Sequence, residues 1–84
     1  MAIAAADLRR LRWRCRRGLL EVDLLLQRFA RDRLEALNAE EAVVLAGLLE
    51  RPDAELLEWL LGRKRPEDPQ VADVVDRIRG AGTA

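Results

Sequence analysis

The sequence predicts an all-α fold, a compact five-helix bundle forming one small domain. Three observations carry that expectation. Apolar residues recur at helical spacing in five stretches, the stretches are separated by Gly, Pro, Asn or Asp, and nowhere do apolar and polar residues alternate as a strand requires. At 84 residues, half of them hydrophobic, the chain suits a single domain over 1–84 with a core at the small end of what folds unaided. Its ends are expected to fray over about 1–6 and 80–84.

Asp7 is placed to cap a first helix running to about Cys15, with Leu8, Leu11 and Cys15 facing the core. Trp13 falls on the other side of that helix, among arginines. Two readings of it stay open: an anchor for an interface, or a ring laid across a neighbouring helix beneath arginine stems. Gly18 interrupts the pattern and allows the backbone to turn. The longest helix follows, about Leu19 to Leu34, with Leu19, Val22, Leu25, Leu26 and Phe29 in one stripe. Leu20 and Leu24 fall outside that stripe, as expected of a central helix or one that also meets a partner. Glu21 and Asp23 suit its positive end, Arg31 and Arg33 its negative end.

Asn38 and Glu41 make a capping-box pattern for a third helix, about Ala39 to Glu50, with Ala42, Val43, Leu45, Ala46 and Leu49 inward. Arg51-Pro52 stops it. Asp53 is expected to cap a fourth helix through Leu61, carrying Leu56, Leu57, Leu60 and Trp59, with Gly62 as its stop. After a polar loop, Asp68-Pro69 opens a fifth helix to Arg79, with Val71, Val74, Val75 and Ile78 aligned and Gly80 ending it.

Composition removes whole classes of function. There is no His, Ser or Tyr, one Lys (Lys64) and one Thr (Thr83, in the tail expected to fray), so triad-type nucleophilic catalysis has neither a base nor a hydroxyl to work with. A single cysteine can form neither an intramolecular disulfide nor a zinc site. No carboxylate pair forms a recognisable acid–base site. The chain is therefore not expected to be an enzyme. The longest uncharged apolar run, Ala42 to Leu49, is too short to cross a membrane, and the first residues do not read as a secretory signal. A soluble, intracellular protein is expected.

Fifteen basic and fifteen acidic residues cancel, but unevenly. Residues 1–18 hold six arginines against Asp7, a local charge of +5, leaving −5 for the remainder. Six arginines between Arg9 and Arg17 repel one another and are not needed for solubility. Their planar forks suit carboxylates and phosphates. Nucleic acid is the rival target, but the whole chain is neutral, its later helices are acidic, and no recognition helix follows a tight turn.

The Arg17-Gly18 break admits a purely local reading, in which Gly18 is an N-cap and Glu21, at N3, reaches back to its N–H. It also admits a functional one, in which the bare backbone at Gly18 accepts another chain, with Arg17 and Glu21 exposed beside it. These residues carry a resemblance. Trp13-Arg14-Cys15-Arg16-Arg17-Gly18-Leu19-Leu20-Glu21-Val22-Asp23-Leu24-Leu25-Leu26 resembles the signature of the SdhE/YgfY family of small assembly factors, whose motif is Arg-Gly-x-x-Glu. Arg28-Phe29 and Leu48-Leu49-Glu50, Pro52-Asp53, Leu57 and Trp59-Leu60 extend the likeness over about residues 8–79.

The resemblance implies a five-helix chaperone that binds the flavoprotein subunit of succinate dehydrogenase and promotes covalent attachment of its FAD. The fumarate reductase flavoprotein is a second candidate client. The bond would form autocatalytically on the partner's own histidine, so FAD would belong to the partner and this chain would hold no cofactor or metal tightly. Partner-binding residues would be Arg17, Gly18, Glu21 and Asp23 with Trp13, Arg14 and Arg16. The protein is expected to be a cytoplasmic monomer that neither inserts in membranes nor binds nucleic acid. The alternative is a small basic-helix nucleic-acid-binding or antitoxin-type regulator.

Overall fold

A computed structural model describes residues 4–81. Those residues form five α-helices: α1 (Ala5–Arg14), α2 (Leu20–Arg33), α3 (Ala39–Leu48), α4 (Asp53–Leu60) and α5 (Pro69–Ala81). A 3-10 turn, Leu34–Ala36, extends α2. No strand occurs among the described residues. The breaks fall at the Gly18, Leu37, Pro52 and Gly62–Pro69 regions, punctuated by glycine and proline except at Leu37, where Asn38 caps the next helix. Residues 1–3 and 82–84, expected to fray, lie outside the described residues.

Helix α5 packs against α2, α3 and α4, α1 bridges α3 and the 3-10 turn, and α2 packs chiefly against α5 and also against α4. Helix α2 can do so because Val22, Leu26 and Phe29 are all fully buried along one stripe, with Ala30 beside them. Leu11 and Cys15 of the first segment, Leu45 and Leu48 of α3, Leu56 and Leu60 of α4, and Val74, Val75 and Ile78 of α5 complete one contiguous core. Burying each such side chain stabilises the fold by about 1.5–3 kcal/mol. That is how a chain of this size closes without a disulfide.

Capping chemistry sets the helix ends. Asn38 Oδ1 accepts the Glu41 N–H at 2.8 Å and Glu41 Oε1 accepts the Asn38 N–H at 2.9 Å, the reciprocal box expected of that pair. Asp68 Oδ1 accepts the Gln70 N–H at 2.8 Å and starts α5. At the end of α4, Gly62 takes φ +78°. The Arg63 N–H then reaches back to the Glu58 carbonyl at 2.9 Å and the Gly62 N–H to Trp59 at 3.1 Å, a Schellman closure that needs a residue without Cβ.

Several local expectations are corrected. Helix α1 begins at Ala5, so Asp7 lies in its first turn and is not its cap; the alanines before it favour helix intrinsically. Leu19, not Gly18, is the N-cap residue of α2, and the Gly18–Glu21 box does not form. Asp53 is the first residue inside α4, preceded by Pro52 at the cap position. Helix α5 runs through Gly80. Val43 points outward and is 72% exposed. Helix α3 buries Ala42, Leu45, Leu48 and Leu49, and at about 100° per residue Val43 falls well off that face.

Candidate partner-docking site

The turn between α1 and α2 is held from both ends. At its start, the Arg17 backbone N–H donates to Asp23 Oδ1 at 2.9 Å, so a side chain from the first turn of α2 reaches back and closes the loop. The Arg17 side chain turns the other way, into the junction of α3 and α4. Its Nε donates to Asp53 Oδ1 at 2.6 Å, Nη1 to the Leu49 carbonyl at 2.7 Å and Nη2 to the Arg51 carbonyl at 2.9 Å. Leu49 and Arg51 lie just past the last turn of α3, where carbonyls lack intrahelical donors, so the guanidinium satisfies acceptors left open between α3 and α4. Only 17% of the Arg17 side chain is exposed. The expectation that Arg17 lies open beside Gly18 is therefore overturned: its planar fork is spent on three internal acceptors.

Gly18 and Glu21 present the opposite case. Gly18 is exposed, its φ is not positive, and a Cβ built there meets no atom within 4 Å. Neither backbone conformation nor packing within the chain demands glycine. Glu21 is exposed and has no hydrogen bond or ion pair among the described residues. Leu20 and Leu24, outside the core stripe of α2, are exposed next to them. The result is a braced turn whose outer surface is a bare peptide, a free carboxylate and two leucines.

The six arginines of the first segment separate by role. Arg12 Nη1 donates to the Ala30 carbonyl at 3.1 Å and its Nη2 lies 3.9 Å from Glu35, tying α1 to the end of α2. Arg17 ties the turn to α4. Among the described residues Arg10 meets only Asp7, at 3.7 Å on the surface. Arg16 lies over the Trp13 ring, 5.5 Å from its centroid. Arg9 and Arg14 pair with no carboxylate among the described residues. Trp13 is 71% exposed, so the reading in which it is buried across a neighbouring helix does not hold.

Cys15, between Arg14 and Arg16, is fully buried. Loss of hydration pushes its thiol up to about 11, against the smaller opposing pull of Arg12 and Arg17. It is a core residue and not a nucleophile at neutral pH. Among the described residues no three thiol or carboxylate side chains gather as a metal-ligand set, and no helix is long and apolar enough to cross a membrane.

The sequence model of the family described as "flavinator of succinate dehydrogenase" matches residues 9–81. The chain belongs to that family. Curated relatives agree along most of their length. The chain is 40% identical over 74 residues to the FAD assembly factor SdhE of Shewanella oneidensis, covering 88% of this chain and 90% of that protein. It is 38% identical over 71 residues to the FAD assembly factor SdhE of Coxiella burnetii, covering 84% and 87%. It is 40% identical over 70 residues to the FAD assembly factor SdhE of Legionella pneumophila, covering 83% and 87%. The family's matched span contains the braced turn, its internal arginine clasp, the later part of α1 and the whole of α2 to α5.

The sequence left one member of this arrangement unrecognised as such. Asp53 reads as a helix cap, because an acidic residue after proline ahead of an apolar run has that signature. Its role as counter-ion to Arg17, 36 positions away, has no local signal.

Proposed function

We propose that this chain is an assembly factor that docks on the flavoprotein subunit of succinate dehydrogenase and promotes covalent attachment of its FAD. The observation that carries the reading is Gly18: a glycine that its own fold does not require, held at the surface of a turn braced by Arg17 and Asp23. Such a position is explained by another chain whose backbone approaches too closely to admit a side chain. Family membership supplies the partner. Glu21, unpaired and adjacent, offers a carboxylate to a donor on that partner. Leu20 and Leu24 offer apolar area beside it, and Trp13, Arg14 and Arg16 border the same end of α1.

In this reading the chain supplies no reacting group. The chain has no histidine, serine or tyrosine, and its one thiol, Cys15, is buried in the core and protonated at neutral pH. FAD and the histidine that bonds to it belong to the partner, and docking favours the partner conformation in which they meet. We place the protein in the cytoplasm, acting as a monomer.

The test is a strain lacking this protein. Its flavoprotein should hold FAD that is released on denaturation, seen as lost in-gel flavin fluorescence, and reintroduced wild-type chain should restore it. Gly18→Arg should not restore it, although the purified variant should give an unchanged helical circular dichroism spectrum. Normal covalent flavin in the deletion strain would overturn the assignment.

A further inference from the structure

A second surface lies between α1 and α3. A groove of about 680 Å³ is floored by Leu11, Ala42 and Ala46, with Trp13, Arg10 and Arg14 on the α1 rim and Val43 on the other. Helix α3 is apolar almost all round after its first turn, the pattern of a helix covered on every side. Yet Val43 stands 72% exposed, with Ala39 and Gly47 exposed one turn to either side. The helix has one neighbour too few. Small residues at Ala39, Ala42 and Ala46 keep the groove shallow-walled, so a third backbone can lie close along it.

The charges around the groove say what kind of segment fits. Arg14 has no carboxylate partner among the described residues, nor has Arg9, and Arg10 has only its loose contact to Asp7. Asp7 also lines the groove beside Arg10, so the rim carries a net positive charge, with the Arg14 fork open and the Arg10 fork loosely held, above an apolar floor. Both walls are helices of ten residues, about 15 Å long at 1.5 Å per residue. That geometry matches the mode in which an amphipathic helix lays its apolar face in a groove between two others.

We infer that the α1/α3 groove receives an acidic amphipathic helix of the flavoprotein partner, its apolar face between Trp13 and Val43 and its carboxylates on Arg10 and Arg14. This rests on the docking reading above and names the chemistry of a second contact within it. The groove is a hollow with walls, which a convex helix fills and a lipid surface or a phosphate backbone does not.

The experiment measures the affinity of the purified flavoprotein subunit for wild-type chain, Val43→Glu, Arg14→Glu and Gly18→Arg, with folding checked by circular dichroism. Val43 and Arg14 are exposed, so their variants should fold. Val43→Glu puts a carboxylate against the apolar face of the incoming helix, and Arg14→Glu reverses the rim charge that its carboxylates meet. Each should weaken binding by about tenfold or more, equivalent to about 1.4 kcal/mol, and Arg14→Glu should also flatten the salt dependence. A photo-crosslinking residue at position 43 should capture a helix of the flavoprotein with carboxylates three or four positions apart.

If Gly18→Arg abolishes binding while Val43→Glu and Arg14→Glu bind within about twofold of wild type, the groove inference is wrong and the docking reading stands. If Gly18→Arg binds normally and the groove variants do not, the groove holds and the reading of the turn fails. Capture of a second copy of this chain, or of nucleic acid or lipid in place of the flavoprotein, overturns the groove inference.

Discussion

Replacing Arg17 by alanine removes a side chain that joins the α1–α2 turn to the α3–α4 junction, and the cost can be worked from its bonds. Three charge-assisted hydrogen bonds, to Asp53, Leu49 and Arg51, are lost. Asp53 keeps 33% side-chain exposure and water can reach it, so the lower figure of about 1.5 kcal/mol per bond applies, a total of about 4.5 kcal/mol. Releasing the arginine returns about 2 kcal/mol of rotamer entropy. The net loss is about 2–3 kcal/mol, which for a domain of this size lowers Tm by roughly 10–20 °C. Thermal unfolding followed by circular dichroism reads this directly. Arg17→Lys should fall between, since an ammonium cannot hold three acceptors in a plane. In a cycle with Asp53→Ala, the two changes should couple by about 1 kcal/mol. A Tm drop below about 3 °C, with flavin attachment nonetheless abolished, would refute the clasp and return Arg17 to the partner interface.

Other consequences are simpler to state. Gly18→Ala should leave Tm the same or slightly higher, because its Cβ meets nothing and the unfolded chain loses freedom; a fall of more than about 1 kcal/mol in chemical denaturation would show an internal need for glycine. Phe29→Ala empties the centre of α2 and should cost about 3–5 kcal/mol, enough to leave the chain largely unfolded by circular dichroism at 37 °C. Asn38→Ala breaks the capping box at about 1 kcal/mol, measured as a shifted denaturation midpoint. Glu41, held below the usual carboxylate range by the Asn38 N–H and then by Arg77, contributes stability present above its unfolded pKa and lost as pH falls through its folded one. The wild-type but not the Glu41→Gln chain should show that acid-side loss. Cys15 has the opposite sign: its thiol, raised by burial, contributes fully below its ordinary pKa of 9.0, and that contribution is lost as pH rises toward about 11. Cys15→Ala should remove that alkaline component of the stability profile, and the native thiol should react with an alkylating reagent at neutral pH only after denaturant is added.

Much of this molecule is local and was legible as such. Helical periodicity put Val22, Leu26 and Phe29 on one stripe, and the Asn38–Glu41 box, the stop at Gly62 and the Asp68-Pro69 start rest on bonds between residues no more than five apart. The absence of histidine, serine and tyrosine bounded the chemistry before any fold was known. Periodicity identifies faces but not neighbours, which is why Val43 reads as core although no helix among the described residues covers it. The same limit hides the Arg17 clasp: an arginine beside glycine looks solvated until the end of α3 brings two stranded carbonyls and Asp53 within reach. Sequence distinguished the Arg17–Asp23 segment, and only the packing of α3 and α4 against it decided which of its residues are spent inside and which stay exposed. Desolvation and long-range hydrogen bonds depend on what lies alongside in space, and no spacing along the chain encodes that.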